Sequence, residues 1–401
     1  MTLITATAIV VAVYLAQLAA KAMLALRYRA RCRKDVNNQT RSEAFPPVTI
    51  LQPVVSGDPA LAATLRATLE TFPPLPPLTP SAAQVSWLWL LDDDDTAATE
   101  ICETLASKFP AHSIKILRTA PPPQGVNPKV HKLIPALDLV ATPHFVVLDD
   151  DTRLSAAGLR ALLDALDAGA SLATGLPRYH GTGGRWSACL AEFVNSSAVL
   201  TYLPALAFSE PVSIQGMCYA MRTAEARSLD AFRATARQVA DDLALALLLQ
   251  RRKLRIHQTI EPHDIATSLP ALRSLLRLMH RWFVFARLLL EEQPLAARAA
   301  IALAYGLPPV LLWFAIEAAC FPPSPWNAAL LLACLAAREI ILRVITKKFL
   351  GPETARERSP VASLAQELAQ PFFLAAAYFN KTILWRNRPI RVRKVDDFEY
   401  L

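Results

Sequence analysis

The 401-residue chain is poor in glycine, with 11, and in cysteine, with six. It contains no G-x-G-x-x-G dinucleotide loop and no phosphate-cradling P-loop, and its one glycine cluster, "GTGG" at 181–184, reads as a turn. Cys32, Cys102, Cys189, Cys218, Cys320 and Cys334 form no C-x-x-C pair and share no zinc spacing with histidine, so they read as space-filling thiols in a reduced compartment. An arginine-rich tail and an aromatic-interleaved basic motif are also missing. Nucleic acid is therefore a poor partner despite a formal net charge of +8. The positive charge falls in short patches, "RYRARCRK" (27–34), "RRKLR" (251–255) and "RNRPIRVRK" (386–394), which read as anchors at an anionic membrane surface.

What the chain has in excess is apolar surface, with 53% hydrophobic residues. Residues 3–26 hold one lysine and are long enough as a helix to cross a hydrocarbon core about 30 Å thick. Basic residues follow the run at once, the reverse of a cleavable signal, and the positive-inside rule puts the chain after residue 27 in the cytosol. At the other end, 299–320 is a spanning candidate with a kink expected at Pro308-Pro309. The segments 326–346, with Arg338, Glu339 and Arg343, and 361–385, with Glu367 and Pro371, are weaker. Charges at membrane depth are costly unless paired or facing a cavity, so these two are expected to pack together, re-enter or line a groove.

Between them the pattern changes. Short runs rich in β-branched and aromatic residues at 47–54, 84–91, 112–118 and 144–150 alternate with helical patterns at 59–71, 96–108, 130–140 and 155–168. That alternation predicts an α/β fold with a mostly parallel sheet covered by helices. Pro-rich pieces at 72–80 and 120–125 mark loops. The expected organisation is a transmembrane anchor at 1–27, a basic linker at 28–46, the α/β domain at 47–265, interfacial helices at 266–295, membrane helices at 296–390 and a tail at 391–401.

Two of the strands end alike, one in Asp92 to Asp95 and the other in Asp149 to Asp151. Ligands of open parallel sheets bind beyond the carboxyl ends of the strands, so both acidic runs fall where a site is expected. Either run alone could be a solvated loop or a helix N-cap. Together, such close like charges repel unless a cation binds between them, and D-x-D offers hard oxygens suited to Mg2+ or Mn2+. A third acidic pair, Asp241-Asp242, opens an amphipathic helix, where capping is the alternative.

The motifs "LLDDDD", "GVNPKVHKL", "VVLDDDTRL", "GLP", "QGM", "VADDLAL" and "HRW" follow in an order and spacing that resemble the ceramide glucosyltransferases of glycosyltransferase family 21, relatives of the inverting family 2. The resemblance covers residues 45–290 and implies a GT-A type nucleotide-sugar domain between membrane helices. It implies Asp92 as the first nucleotide contact with Asp94 and Asp95 beside it, Lys129 in the nucleotide pocket, Asp149 and Asp151 as the metal-binding D-x-D, and Asp150 facing away or touching ribose. Asp242 becomes the catalytic base. Gly175 and Gly216 would let backbone approach the ligand, although turns also explain them. The family's Arg-Trp motif is incomplete, with Leu278 at its first polar position and Arg277 just before it; Arg281 and Trp282 stand as diphosphate contact and aromatic wall, or as interfacial anchors. His131 and Lys132 occupy positions where the relatives often have Asn.

The implied activity is inverting transfer of a hexose, glucose from UDP-glucose, to a ceramide-like lipid, by an integral protein of a bacterial inner membrane rather than of the Golgi. A hopanoid, polyprenyl-phosphate or polysaccharide acceptor is the nearer alternative, and a non-catalytic scaffold the farther one.

Overall fold

The computed structural model describes residues 3–37, 45–72, 85–321, 323–385 and 388–401. Residues 73–80 of the Pro-rich loop expected at 72–80, most of the second half of the expected linker (38–44) and the first two residues of the 386–394 basic patch lie outside the described residues. One sheet holds β1 (Val48–Pro53), β2 (Val85–Asp92), β3 (Ser113–Thr119), β4 (His144–Leu148), β5 (Thr152–Arg153), β6 (Leu172–Tyr179), β7 (Cys218–Arg222) and β8 (Ile256–Ile265). Its order is β3-β2-β1-β4-β7-β6-β8-β5. β3 to β4 run parallel, β7 is antiparallel to both neighbours, and β6 and β8 pair in parallel. The chain builds outward from β1 to β3, then returns to lay β4 on the opposite side of β1. The strand order therefore reverses between β1 and β4, where a crevice opens beyond the strand ends.

The pleat explains the apolar runs. Ile50, Val146 and Leu148 point to a core shared with α2 (Leu61–Thr71), α3 (Thr96–Lys108) and α5 (Ala156–Asp167). Their neighbours Leu51, Phe145 and Val147 point to the other face, under α4 (Pro128–Leu139) and, after α6 (Arg185–Tyr202) and α7 (Thr223–Ser228), under α8 (Ala231–Thr235) and α9 (Asp241–Arg251). A strand covered on both faces loses polar alternation.

The first helix, α1 (Leu3–Asn37), does not stop where the basic linker was expected. "RYRARCRK" contains good helix formers and no glycine or proline, so nothing local ends the helix there. After β8 come α10 (Leu272–Glu292), α11 (Leu295–Ile301), α12 (Leu307–Cys320), α13 (Pro325–Phe349), α14 (Pro352–Arg356) and α15 (Pro360–Phe379). Between α11 and α12 a π-turn at Ala302–Gly306 precedes Pro308-Pro309, whose missing N–H groups disturb the regular ladder there. Among the described residues, Leu3–Arg33, Arg185–Ala207 and Leu295–Cys320 are long and apolar enough to cross a membrane. The charges of α13 and α15 are paired, Arg338 with Glu367 at 2.7 Å, while Arg358 between the helices meets Glu339 at 3.2 Å and Glu192 of α6 at 3.1 Å. The last residues, expected as a tail, complete an antiparallel sheet of β9 (Thr382–Trp385), β10 (Arg388–Val392) and β11 (Phe398–Tyr400).

Candidate active site

A cavity of about 2220 Å³ lies beyond the carboxyl ends of β1, β2 and β4, and it continues between α1, α10, α12, α13 and α15. Asn127 fixes its first wall. As the N-cap of α4 it accepts from the Lys129 and Val130 amides at 3.0 and 3.3 Å, and its Nδ2 donates to the Gln238 and Val239 carbonyls at 3.1 and 3.2 Å. One buried side chain thus ties the Asn-Pro-Lys turn to the approach to Asp241-Asp242. Asn127→Ala removes the cap and takes the side-chain donor from the partly buried Gln238 and buried Val239 carbonyls, an expected stability loss of about 2–4 kcal/mol. Thermal unfolding in detergent checks this, and Asn127→Ser, which keeps the cap, should lose distinctly less.

Lys129 stands at the centre. Its Nζ reaches Asp149 Oδ1 at 2.8 Å, Asp241 Oδ2 at 3.3 Å and the Gly216 carbonyl at 2.6 Å. Four motifs that lie far apart in sequence therefore meet at one ammonium group. Burial works against its charge, but Asp149 and Asp241 outweigh burial and hold its pKa well above the usual lysine value. Asp149 is thereby directed at a lysine.

The other carboxylates divide by environment. Asp92 ends β2, accepts from Lys132 Nζ at 2.8 Å through Oδ2, and keeps Oδ1 buried without a hydrogen bond among the described residues. Asp94 lines the cavity. Asp95 is a helix cap: it accepts from Ala98 N at 2.9 Å and Ser56 N at 2.8 Å, and these bonds overcome burial to lower its pKa. Asp150 turns to β1, accepting from Val55 N at 2.8 Å. Asp151 accepts from the hydroxyls of Thr152 at 3.1 Å and Thr267 at 3.0 Å; burial, then the charges of Asp149 and Asp150, raise its pKa to about 7. Asp242, in the first turn of α9, accepts the Leu243 amide at 2.7 Å. Burial and the neighbouring Asp241 raise it too to about 7.

Gly216 lines the cavity against Asp242, whose Cβ would lie 3.0 Å from any Cβ added there. Gly175 serves packing instead, since a Cβ would meet His263 Nδ1 at 2.8 Å. Arg281 and Trp282 on α10 line the cavity, with the Trp282 ring 6.1 Å from Tyr179 and 6.3 Å from Phe193. Leu278 lines it as well, whereas Arg277 is exposed and is not among the described lining residues. Two lining residues carried no signal in the sequence. Thr267 follows β8, and Tyr400, the penultimate residue, donates to the Val126 carbonyl at 3.0 Å.

Among the described residues, no three His, Cys, Asp or Glu side chains converge as a ready metal cage. The donor chemistry nonetheless fits a hard divalent ion. Asp149, Asp150, Asp151, Asp241 and Asp242 line one cavity with Lys129, and carboxylate oxygens are the hard donors such an ion takes.

A family model described as Glycosyl transferase family 21 matches residues 5–397. No curated protein matches the chain. Similar solved structures include a mannosyltransferase, PcManGT, from Pyrobaculum calidifontis in complex with GDP-Man and Mn2+, 16% identical over 90% of this chain and 99% of that one, with a TM-score of 0.46. They also include residues 1–349 of S. aureus TarS, 11% identical over 88% and 98% of the two chains, with a TM-score of 0.37.

Proposed function

The chain belongs to glycosyl transferase family 21, and from that premise we propose that it transfers glucose from UDP-glucose to the hydroxyl of a ceramide-like membrane lipid with inversion. The observation that carries this reading is the continuity of one cavity. Its carboxylates and Lys129 lie at one end, and at the other are apolar side chains such as Leu18 and Leu24 of α1, Val310 of α12 and Leu342 of α13. A water-soluble donor and a bilayer-bound acceptor need such a two-sided vessel, with the α/β domain facing the cytosol.

In this proposal Asp92 takes a donor from the nucleotide through its unpartnered Oδ1. Lys129 and Arg281 offset diphosphate charge, Trp282 walls the sugar, and Asp150 and Gly216 shape the approach. A divalent ion, when bound, supplies further positive charge at the diphosphate; Asp151, with the Asp149 oxygen that Lys129 leaves over, would hold it. Asp242 accepts the proton of the acceptor hydroxyl as that oxygen attacks the anomeric carbon. The bond from that carbon to the diphosphate oxygen breaks on the opposite face, UDP departs, and a β-glycoside results.

The test is a panel. Purified protein with Mg2+ or Mn2+ is incubated with UDP-glucose, UDP-galactose or UDP-glucuronate and with ceramide, a hopanoid or a polyprenyl phosphate, and products are read by mass spectrometry. Hexosylceramide from UDP-glucose is expected. A product on another lipid overturns the acceptor, and no lipid product from any pair overturns lipid glycosylation.

A further inference from the structure

The membrane end of the cavity is not wholly apolar. Arg338, almost fully buried on α13, donates through Nε to Tyr14 Oη of α1 at 3.1 Å and to Glu367 Oε2 of α15 at 2.8 Å, and through Nη2 to Ser363 Oγ at 2.9 Å. Tyr14 Oη in turn donates to Glu367 Oε1 at 3.0 Å. All of these residues line the cavity. Tyr14 lies 13 residues before the basic cluster at Arg27, about 20 Å along a helix rising 1.5 Å per residue, which puts the cluster deep in the spanning segment.

A buried ion pair contributes little net stability and is costly at membrane depth, where such groups mark sites and pathways. Two features give this one unused hydrogen-bonding capacity on the cavity side. Nη1 of Arg338 makes no hydrogen bond among the described residues. Pro371 lies inside α15 and has no N–H, so the Glu367 carbonyl lacks the donor that an α-helix supplies four residues on. Ser363, Glu367 and Gln370 share one stripe of α15 by their spacing and all line the cavity, as does Pro371. One spare donor and one spare acceptor thus belong to residues already joined by an ion pair. Arg338 and Lys21 of α1, which also lines the cavity and faces Glu367, share that one carboxylate; the spare pair itself, one donor and one acceptor, matches an uncharged group that both accepts and donates.

We propose that Arg338 and the Glu367 carbonyl freed by Pro371 form a lipid-reading site within the membrane segment, hydrogen-bonding the secondary amide of the acceptor lipid. The inference rests on the lipid-acceptor reading above. Two variants separate it from a purely structural role. Arg338→Lys keeps the charge facing Glu367 but removes the spare donor. Pro371→Ala returns the missing helical N–H and should strengthen the helix while occupying the acceptor.

The experiment is equilibrium photo-crosslinking in nanodiscs, without nucleotide, of a diazirine-bearing ceramide, a dialkylglycerol of equal chain length and a polyprenyl phosphate. Wild type should favour the ceramide. Each variant should bind it about three- to tenfold more weakly, the effect of one hydrogen bond, and bind the dialkylglycerol as wild type does. Equal wild-type binding of ceramide and dialkylglycerol overturns the site, as does preference for the phosphate or unchanged ceramide binding in Pro371→Ala. Because binding is read without turnover, the expected pattern without any sugar transfer would retain the site and overturn only the proposed function, and transfer without the pattern would do the reverse.

Discussion

Asp242→Asn is expected to lower kcat for lipid glycosylation by about 10²–10⁴-fold, the contribution of a positioned general base. Asparagine fits the same space and can keep the Leu243 amide bond, so UDP binding and thermal stability should change little. Activity of the wild type should follow the same group. Burial and Asp241 raise Asp242 to about 7, and its charged form is the active one. As pH falls below about 7 the base is protonated and kcat/KM should drop about tenfold per unit; above it the profile should be flat. Asp241, Asp242 and Lys129 touch or adjoin one another, so the acid limb belongs to the cluster. A steady-state pH profile and the variant's single-turnover rate check both statements, and near-normal turnover by Asp242→Asn would remove the base assignment.

Lys129→Met should be the most damaging substitution to the fold of the site itself. It leaves Asp149 and Asp241, both partly buried, facing each other without a cation, and it strips the Gly216 carbonyl of its donor. Removing one partner of a buried pair costs about 3–5 kcal/mol because the remaining charge stays buried. Thermal unfolding should therefore show a large loss of stability, and UDP binding by calorimetry should vanish. Lys129→Arg keeps the charge but cannot fit three contacts around one point donor, so it should recover stability more than UDP affinity. If Lys129→Met unfolds like wild type, the ammonium is not what holds the four motifs together.

The residues differ in how openly they declare these roles. β1, β2 and β4 were legible because each is an apolar run buried on both faces and closed by a turn signal, and the edge strand β3 because Ile114 and Ile116 alternate with Lys115. Asp92, Asp94, Lys129, Asp149, Asp151 and Asp242 were legible as motifs, and the fold brings them to one cavity. That Asp95 is a cap and that Asp149 turns to Lys129 depends on distances between segments, which spacing along the chain does not encode. β8 escaped because polar residues such as Gln258 and His263 interrupt its apolar pattern, and β6 because Gly175 and Pro177 do the same. Tyr400 escaped for another reason: the last sheet is held by contacts to α9 and α10, including the Val239 amide donating to Val395, and has little periodicity of its own. The charges of 326–346 and 361–385 weakened their reading as membrane segments, yet pairing Arg338 with Glu367 is how the fold accommodates them.

The measurement closest to the central claim follows label and anomeric configuration together. The full chain in ceramide-containing nanodiscs is given UDP-[14C]glucose and Mn2+, the lipid phase is extracted, and the linkage is read by the anomeric proton coupling in NMR. Label in ceramide with β configuration, absent from Asp242→Asn, is the predicted result. An α-linked product, label confined to the aqueous phase, or equal labelling by Asp242→Asn would contradict inverting transfer to a lipid hydroxyl with Asp242 as its base.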